Sequence, residues 1–390
     1  MQRSIKKFKS LTEPAAINGA ILIKYLSGIG TSLRFLSPLA SFLFIILNLN
    51  RLLKSKSAII TLAFFAPALI LTPGMDIFRI ITSVAVMWIF FSYFSEPVPS
   101  FYPFVTIFVL AYAVAMFAGI FDPDNYFVMG NGDMRYKFNL ETHNALCIVA
   151  LLSFIYLTDA LNNLSNTGTY KILKIASFIG LILLSFTFLA IKSRLYIGLS
   201  LTALVFVAVL TWKKNKFPAI LCAVYIVLFF GFNWVNEKAD IQEASAGMER
   251  LISTNATGRE KLTGAFWQLI KEKGWQNFIY QNNVAAYYEK KRTIPDIDMA
   301  ASTLTENAYF ITILNTGILG LTVLLVICAV FLLRFLKRKE LFSLIYMLLI
   351  MGVWYFEETI MYPLSMIAQF FALATVNRLE RNANESSTGD

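Results

Sequence analysis

The stretch LTENAYFITILNTGILG, residues 304–320, is where a long polar segment of the chain gives way to an apolar one. The polar segment runs from about Asn233 to Thr305, and apolar runs lie on both sides of it. Because the rest of the chain is predominantly apolar, this segment is the one place large enough to build a water-facing site. We therefore expect it to cap a site that is embedded in a membrane.

The composition indicates a membrane protein built from helices. Of the 390 residues, 57% are hydrophobic and 15% are charged, whereas about a quarter of the residues of a soluble domain are charged. The apolar runs approach the length that crosses a bilayer, and lipid offers no partner to the backbone of an isolated strand. We predict an all-α, polytopic integral membrane bundle of about twelve transmembrane helices.

The apolar runs also predict the organisation of the chain. Residues 1–233 would hold transmembrane helices one to nine, and 234–303 a large periplasmic loop with amphipathic helices. Residues 304–377 would hold helices ten to twelve, and 378–390 a disordered cytoplasmic tail. The expected spans are about 14–30, 33–49, 57–73, 75–94, 98–120, 141–160, 170–191, 195–212, 217–233, 304–333, 341–356 and 359–377.

The net charge of +10 is interpreted as a topology signal. Basic residues fill the short loops on one side of the predicted bundle, and such loops favour the cytoplasm. Both termini are therefore expected inside, with the polar segment outside; if the weak first span does not cross, the N-terminus moves outside. The same placement of basic residues in short loops argues against a nucleic-acid partner.

No metal site or cofactor is expected from the sequence. Cys147, Cys222 and Cys328 each lie inside an apolar run and have no metal or disulfide spacing. His143 is the single histidine, which excludes a histidine cluster, and it is interpreted as a polar residue at a helix start rather than a catalyst. The absence of a Walker A motif argues against ATP-driven transport.

Charged residues at membrane depth or at span ends are candidates for function because their burial is costly. Several arginines on the outward side could together clamp a phosphate or diphosphate, for which the guanidinium fork is well suited. The alternative is that each arginine extends separately to the lipid headgroups. The candidates are Arg79, Arg135, Arg194, Arg250 and Arg259.

Glu306 is the first candidate for a general base, because an apolar surrounding raises the proton affinity of a carboxylate. The alternative is an acidic residue favoured at a helix N-terminus, with Thr305 near the cap. Glu357 and Glu358 are rival bases, unless they lie in a solvated turn. Asn144 is either a helix cap or a binding residue.

Two further stretches have structural and functional interpretations. Gly264 to Gly274 predicts an amphipathic helix, apolar at Phe266, Trp267, Leu269 and Ile270, that lies on the outer leaflet or roofs the cavity. The small residues in Asn315-Thr-Gly-Ile-Leu-Gly320 indicate close helix packing rather than chemistry.

Four short elements follow one another along the outward side of the predicted bundle. Each is weak by itself, and their order and common side give them weight. They are Arg135 to Asn144, Lys192-Ser-Arg-Leu-Tyr-Ile-Gly198, Thr257-Gly258-Arg259 followed by Trp267, and Glu306-Asn307-Ala-Tyr309 followed by Gly317-Ile-Leu-Gly320.

With the large loop late in the chain, these elements resemble the O-antigen polymerase (Wzy-type) and O-antigen ligase superfamily. The resemblance implies a metal-independent, polyprenol-dependent glycosyltransferase of the GT-C type in the bacterial inner membrane. Its substrates would be undecaprenyl-diphosphate-linked oligosaccharides, and a protein that regulates chain length is a candidate partner. Membrane lipid is the other expected partner.

The resemblance also implies roles for residues and alternatives for the reaction. Ligases of the family carry a histidine where this chain has Glu306, which favours a repeat-unit polymerase over a ligase that uses lipid A core. A transporter or flippase for lipid-linked oligosaccharide is a third hypothesis, although the charges gather toward one face rather than at mid-membrane. The expected catalytic residues are Glu306, Arg194 and Arg259, and the expected substrate-binding residues are Arg250, Arg135, Arg79, Asn144, Asn307, Tyr309 and Glu357.

Overall fold

The computed structural model describes most of the predicted spans and about half of the polar segment. The described residues are 36–71, 75–94, 103–128, 134–136, 138, 143–163, 168–191, 194–212, 216, 218–224, 227, 259–293, 307–356 and 362–387. Their α-helices are α1 Leu36–Leu47, α2 Leu49–Lys54, α3 Lys56–Leu71, α4 Met75–Tyr93, α5 Pro103–Gly119, α6 His143–Asn163, α7 Thr169–Ile191, α8 Arg194–Thr211, α9 Arg259–Lys273, α10 Val284–Arg292, α11 Ala308–Arg338, α12 Leu341–Phe356 and α13 Pro363–Ser387.

The helices agree with the apolar pattern of the sequence. For example, α4, α7 and α12 begin and end within one residue of the predicted spans at 75–94, 170–191 and 341–356. Within the described ranges, α4, α7 and α11 contain segments long and apolar enough to cross a membrane, and several others are shorter and apolar. This is consistent with the predicted membrane bundle, and the total of twelve crossings stays a prediction.

A small hairpin is an exception to the prediction of a wholly helical chain. Strands β1, Tyr126–Val128, and β2, Met134–Tyr136, pair in antiparallel register, with Phe127 opposite Arg135. The hairpin packs at the end of α5, where the Tyr126 hydroxyl donates to the Ile120 carbonyl at 2.9 Å. Strands of three residues are too short to produce a recognisable alternation in the sequence.

Helix α13 is the centre of the bundle. It packs against α1, α4, α6, α8 and α12, and its side chains are almost continuously buried from Ser365 to Asn377. Within it, Gln369 Oε1 accepts a hydrogen bond from the Trp354 indole N–H at 3.0 Å. A helix that is buried around its whole circumference must satisfy its polar groups against its neighbours.

The C-terminal turns of four helices meet at one end of the bundle, which we call the basic end. There Arg381 donates to the Phe94 carbonyl at 2.7 Å, Arg334 donates to the Phe91 carbonyl at 2.8 Å, and Arg378 forms an ion pair with buried Asp159. These contacts join the ends of α4, α6, α11 and α13, so the four helices run in the same direction.

The start of α12 is fixed at the same basic end. Glu380 accepts hydrogen bonds from the Phe342 and Ser343 backbone N–H groups at 2.9 and 3.0 Å, and thereby caps α12. Asn377 donates to Glu340 at 2.8 Å. Burial raises the pKa of the Glu340 carboxyl, while the hydrogen bond from Asn377 opposes that shift.

The predicted disordered tail at 378–390 is wrong for residues 378–387, because α13 continues to Ser387. Arg378, Glu380 and Arg381 each have a polar partner on another helix, and these contacts hold the last turns in place. The polar composition of the tail does not predict this helix, because the partners that hold its charged residues are far away in sequence.

The opposite end, which we call the loop end, therefore contains the starts of α4, α6, α11 and α13. Helix α8 begins there too, because it is antiparallel to α12: Phe206 packs on Phe342 with ring centroids 5.0 Å apart, and the Tyr346 hydroxyl lies 3.4 Å from the Leu199 carbonyl. Arg194 is the first residue of α8.

The buried ion pair at the basic end gives a test of the fold. We expect Asp159→Asn to lower the free energy of unfolding by about 3 kcal/mol, because it leaves the Arg378 guanidinium without its counter-charge. Thermal unfolding in detergent would measure the loss. The matched control is Glu385→Gln, which removes an exposed carboxylate 3.9 Å from Arg381 and should cost less than about 1 kcal/mol. Equal effects of the two variants would contradict the assigned role of Asp159.

Candidate functional site

Helix α11 is broken at Gly317, near the loop end. The φ of +73° and ψ of −176° at Gly317 lie in a region that is almost exclusive to glycine. The break divides the 31-residue helix into a short part, 308–316, and a long part, 318–338. The long part has about the 20 residues that cross a bilayer. The sequence predicted one uninterrupted span at 304–333, and the structure shows two joined helices.

The backbone groups freed by this break bond to the polar segment. The Leu319 N–H donates to the Ile279 carbonyl at 3.2 Å, and the Asn283 N–H donates to the Leu314 carbonyl at 2.7 Å. A Cβ at Gly317 would lie 2.6 Å from the Ile279 carbonyl carbon and 2.7 Å from the Phe278 oxygen. Glycine is therefore required both by the backbone angles and by the close approach of the two chains.

The residues that dock in this way belong to a compact unit, 259–293, which we call the docked segment. Its helices α9 and α10 pack together, and the Tyr287 hydroxyl donates to the Leu262 carbonyl at 3.2 Å. Burial raises the pKa of the Tyr287 hydroxyl. Helix α9 contains the predicted amphipathic stretch, with Phe266, Leu269 and Ile270 buried and Trp267 43% exposed.

An aromatic stack holds α9 against the start of α11. The Phe266 and Phe310 rings are nearly parallel, with centroids 4.3 Å apart, and the Trp267 ring meets Phe310 edge-on at 5.9 Å. Arg259 begins α9 about 10 Å along the helix from Phe266, at 1.5 Å per residue. Asn307 precedes Phe310 by three residues. The stack therefore joins the middle of α9 to the start of α11.

Asn307 and Tyr309 have structural contacts that the sequence did not predict. Asn307 is the N-cap of α11, and its Oδ1 accepts from the Tyr309 and Phe310 N–H groups at 2.9 and 3.1 Å. The expected cap was Thr305. The Tyr309 hydroxyl donates to the Met351 carbonyl at 2.8 Å, and its ring packs on Trp354. Both residues thus position α11 against its neighbours.

The start of α8 lies at about the same height along the bundle as the start of α11. Arg194 lies about 7.5 Å beyond Leu199 along α8, and Met351 lies about 7.5 Å beyond Tyr346 along α12. Because the Tyr346 hydroxyl approaches the Leu199 carbonyl, Arg194 and the Tyr309–Met351 contact are at roughly the same height. The backbone of Arg194 is thereby brought to the level where α11 begins.

The remaining predicted site residues lie in α4, in α6, in β2 or outside the described residues. Arg79, in the first turns of α4, is exposed and pairs with Asp76 at 3.3 Å. Asn144 is the second residue of α6. Arg135 lies in β2, on a hairpin that packs against α5 and α7. Glu306, Arg250 and Glu357 lie outside the described residues.

No group of histidine, cysteine, aspartate and glutamate that could hold a metal ion occurs in the part of the chain that the structure describes. Helix α8 begins at Arg194, α9 at Arg259 and α11 at Ala308, and a helix N-terminus favours a bound anion.

The close approach at Gly317 can be tested by substitution. We expect Gly317→Ala to displace the 275–283 region, because neither the backbone angles nor the space admits a Cβ. Amide hydrogen exchange of peptides covering 275–283 and 314–319 should accelerate. Gly352→Ala is the matched control, since a Cβ there meets nothing within 4 Å. Unchanged protection in Gly317→Ala would contradict the described docking.

Comparison with known proteins finds a family match over the middle of the chain. Residues 179–325 match the family model described as O-antigen ligase. The matched region runs from α7 into the long part of α11, and it includes Arg194, Arg259 and Gly317. No curated protein matches the chain. The match confirms, over residues 179–325, the resemblance of this chain to the O-antigen polymerase and ligase superfamily.

Proposed function

We propose that this chain is a repeat-unit polymerase of a bacterial polysaccharide, in the inner membrane with its loop end in the periplasm. The family match supports an enzyme of the ligase or polymerase kind in general. The observation that carries the site is the Phe266–Phe310 stack, which holds the middle of α9 against the start of α11. Two expected catalytic positions precede that stack in sequence, Arg259 seven residues before Phe266 and Glu306 four residues before Phe310.

The reaction transfers a growing glycan from one undecaprenyl diphosphate to an incoming lipid-linked repeat unit. A terminal hydroxyl of the incoming unit attacks the sugar carbon that bears the donor diphosphate. A new glycosidic C–O bond forms as the bond to the diphosphate oxygen breaks. Glu306 accepts the hydroxyl proton, and undecaprenyl diphosphate leaves with the electron pair of the broken bond.

The arginines at the starts of α8 and α9 stabilise the departing diphosphate. Arg194 and Arg259 supply fixed guanidinium donors where negative charge develops, which lowers the barrier more than it tightens ground-state binding. The N-termini of α8, α9 and α11 add partial positive charge at the same end of the bundle. No metal or nucleotide takes part in this scheme.

The other predicted residues have lesser roles in this proposal. Arg250, Asn144 and Glu357 remain candidates for contacts with the glycan or the diphosphate. Asn307 and Tyr309 act as positioning residues, because their described contacts are with α11 itself and with α12. Arg79 and Arg135 stay predictions as binding residues, and neither is needed for the transfer step.

A ligase that attaches the glycan to lipid A core is the second candidate, and the description of the matching family favours it. The residue types at the loop junction favour the polymerase, because Glu306 stands where the resemblance implies a ligase histidine. Both reactions use the same donor and the same leaving group. They differ only in the acceptor that the hydroxyl comes from.

Purified protein should lengthen lipid-linked repeat units without added nucleotide or metal. We expect Arg259→Ala to lower the rate by about 100-fold, as for loss of one transition-state donor, and Arg259→Lys to restore part of it. Glu306→Gln should lower the rate by about 100-fold or more. Arg292→Ala, at the exposed end of α10, is the charge-matched control and should keep full activity. Full activity in Arg259→Ala and Glu306→Gln would refute the assignment.

Deletion of the gene distinguishes the two candidate acceptors. If the chain is a polymerase, the deletion strain should retain single repeat units on its lipid A core, because ligation continues without chain growth. If it is a ligase, no repeat unit should be attached to the core. Gel analysis of the lipopolysaccharide reads out the difference, and a core without any repeat unit would overturn the polymerase proposal.

A further inference from the structure

An exposed stripe runs along one side of the docked segment at every fourth residue. It consists of Trp267, Lys271, Trp275 and Ile279, which we call the Trp–Lys stripe. Trp267, Trp275 and Ile279 are 43%, 50% and 49% exposed, and Lys271 is exposed as well. The two indole rings meet with centroids 6.0 Å apart, so Trp267 and Trp275 form one continuous surface.

The depth of this stripe follows from its connection to α11. Ile279 accepts a hydrogen bond from Leu319, at the first turn of the long part, 318–338. That part spans about 30 Å at 1.5 Å per residue, which matches the hydrocarbon thickness of a bilayer. Its other end carries Lys337 and Arg338 in the last turn. Leu319 therefore lies at the boundary of the hydrocarbon, and Ile279 lies at headgroup level.

A second contact joins the docked segment to another helix of the bundle. The Tyr280 hydroxyl approaches the Phe64 carbonyl of α3 at 3.4 Å, and α3 is one of the shorter apolar helices of the bundle. Two successive residues of the docked segment thus touch two different apolar helices. The docked segment is therefore attached to the bundle at both α3 and α11.

We propose that the Trp–Lys stripe is a binding surface for the bilayer at the loop end, with Lys271 bound to the headgroup of an anionic phospholipid. Tryptophan is enriched at this depth because its ring is apolar and its N–H is polar. The docked segment contains seven basic and three acidic residues, which complements an anionic lipid surface. An exposed aromatic patch of this kind would otherwise face water at a cost.

This surface sets the height of α9 independently of the hydrogen bonds at Gly317. Trp267 lies one residue beyond Phe266, whose ring stacks on Phe310. Lipid contact at Trp267 therefore restrains the part of α9 that packs on α11. The inference goes beyond the proposed transfer reaction, because lipid binding at the stripe requires neither the glycan nor Glu306.

Tryptophan quenching by brominated lipid tests the surface in the full chain reconstituted into vesicles. Trp267 and Trp275 are two of six tryptophans, so Trp267→Phe/Trp275→Phe should remove about a third or more of the lipid-quenched emission. Trp275→Phe alone should remove part of it with little risk to folding. Trp354→Phe is the control, since Trp354 is fully buried. Unchanged lipid quenching in the double variant, or quenching of these tryptophans only by aqueous iodide, would overturn the proposal.

The anionic component is tested by changing the headgroup that carries the brominated chains. Phosphatidylglycerol should quench the unaltered protein more strongly than phosphatidylcholine, and Lys271→Gln should bring the ratio toward one. Lys273→Gln is the charge-matched control, because Lys273 is exposed but lies about 200° around α9 from Lys271. Equal quenching by the two lipids, or equal effects of the two variants, would overturn the role of Lys271.

Discussion

The structure depends on how the backbone groups freed at Gly317 are satisfied. A break in a helix leaves carbonyl and N–H groups without partners inside the helix, and each such group that is buried unpaired is costly. Here Ile279 and Asn283 of the docked segment provide the missing partners. The same contacts that complete α11 therefore attach the polar segment to the bundle. Only glycine at 317 leaves room for that attachment.

The basic end supplies the complementary constraint. Polar contacts among α4, α6, α11, α12 and α13 fix the direction of these helices and their relative height. Since α11 is held at both ends, by Arg334 at one and by the docked segment at the other, its short part has a defined position. The candidate site is built on that short part and on the neighbouring helix starts. A site that must hold a diphosphate beside a hydroxyl benefits from such rigid positioning.

The sequence predicted most of the helices that the structure describes, because the length and composition of an apolar run are local properties. It could not predict the ion pair of Asp159 with Arg378, because the two residues are 219 positions apart. It predicted close packing at Asn315–Gly320 but not the break, since a glycine in an apolar helix has several uses. The last turns of α13 were missed for a related reason, because their order comes from distant partners and not from their composition.

The site was predictable to a different degree. Residue types and order indicated an outward, arginine-rich site, and Arg194 and Arg259 both prove to be first residues of helices at the loop end. Asn307 and Tyr309 carry polar side chains for capping and packing, which a short motif cannot distinguish from binding. The sequence grouped Arg135 with these residues only because it was expected on the same side of the membrane. In the structure it lies in the hairpin, which packs against α5 and α7. The place of a residue within one face of the bundle depends on tertiary contacts. No local pattern in the sequence contains those contacts.

The central claim is that Arg194 and Arg259 belong to one site at the starts of α8 and α9. Intramolecular cross-linking by a short bismaleimide measures this most directly, with cysteines introduced as Arg194→Cys and Arg259→Cys after Cys147, Cys222 and Cys328 are replaced. The account predicts efficient linkage of this pair, whereas the Arg135→Cys and Arg259→Cys pair should remain unlinked. Failure of the first pair to link, although each cysteine reacts readily alone, would contradict a shared site.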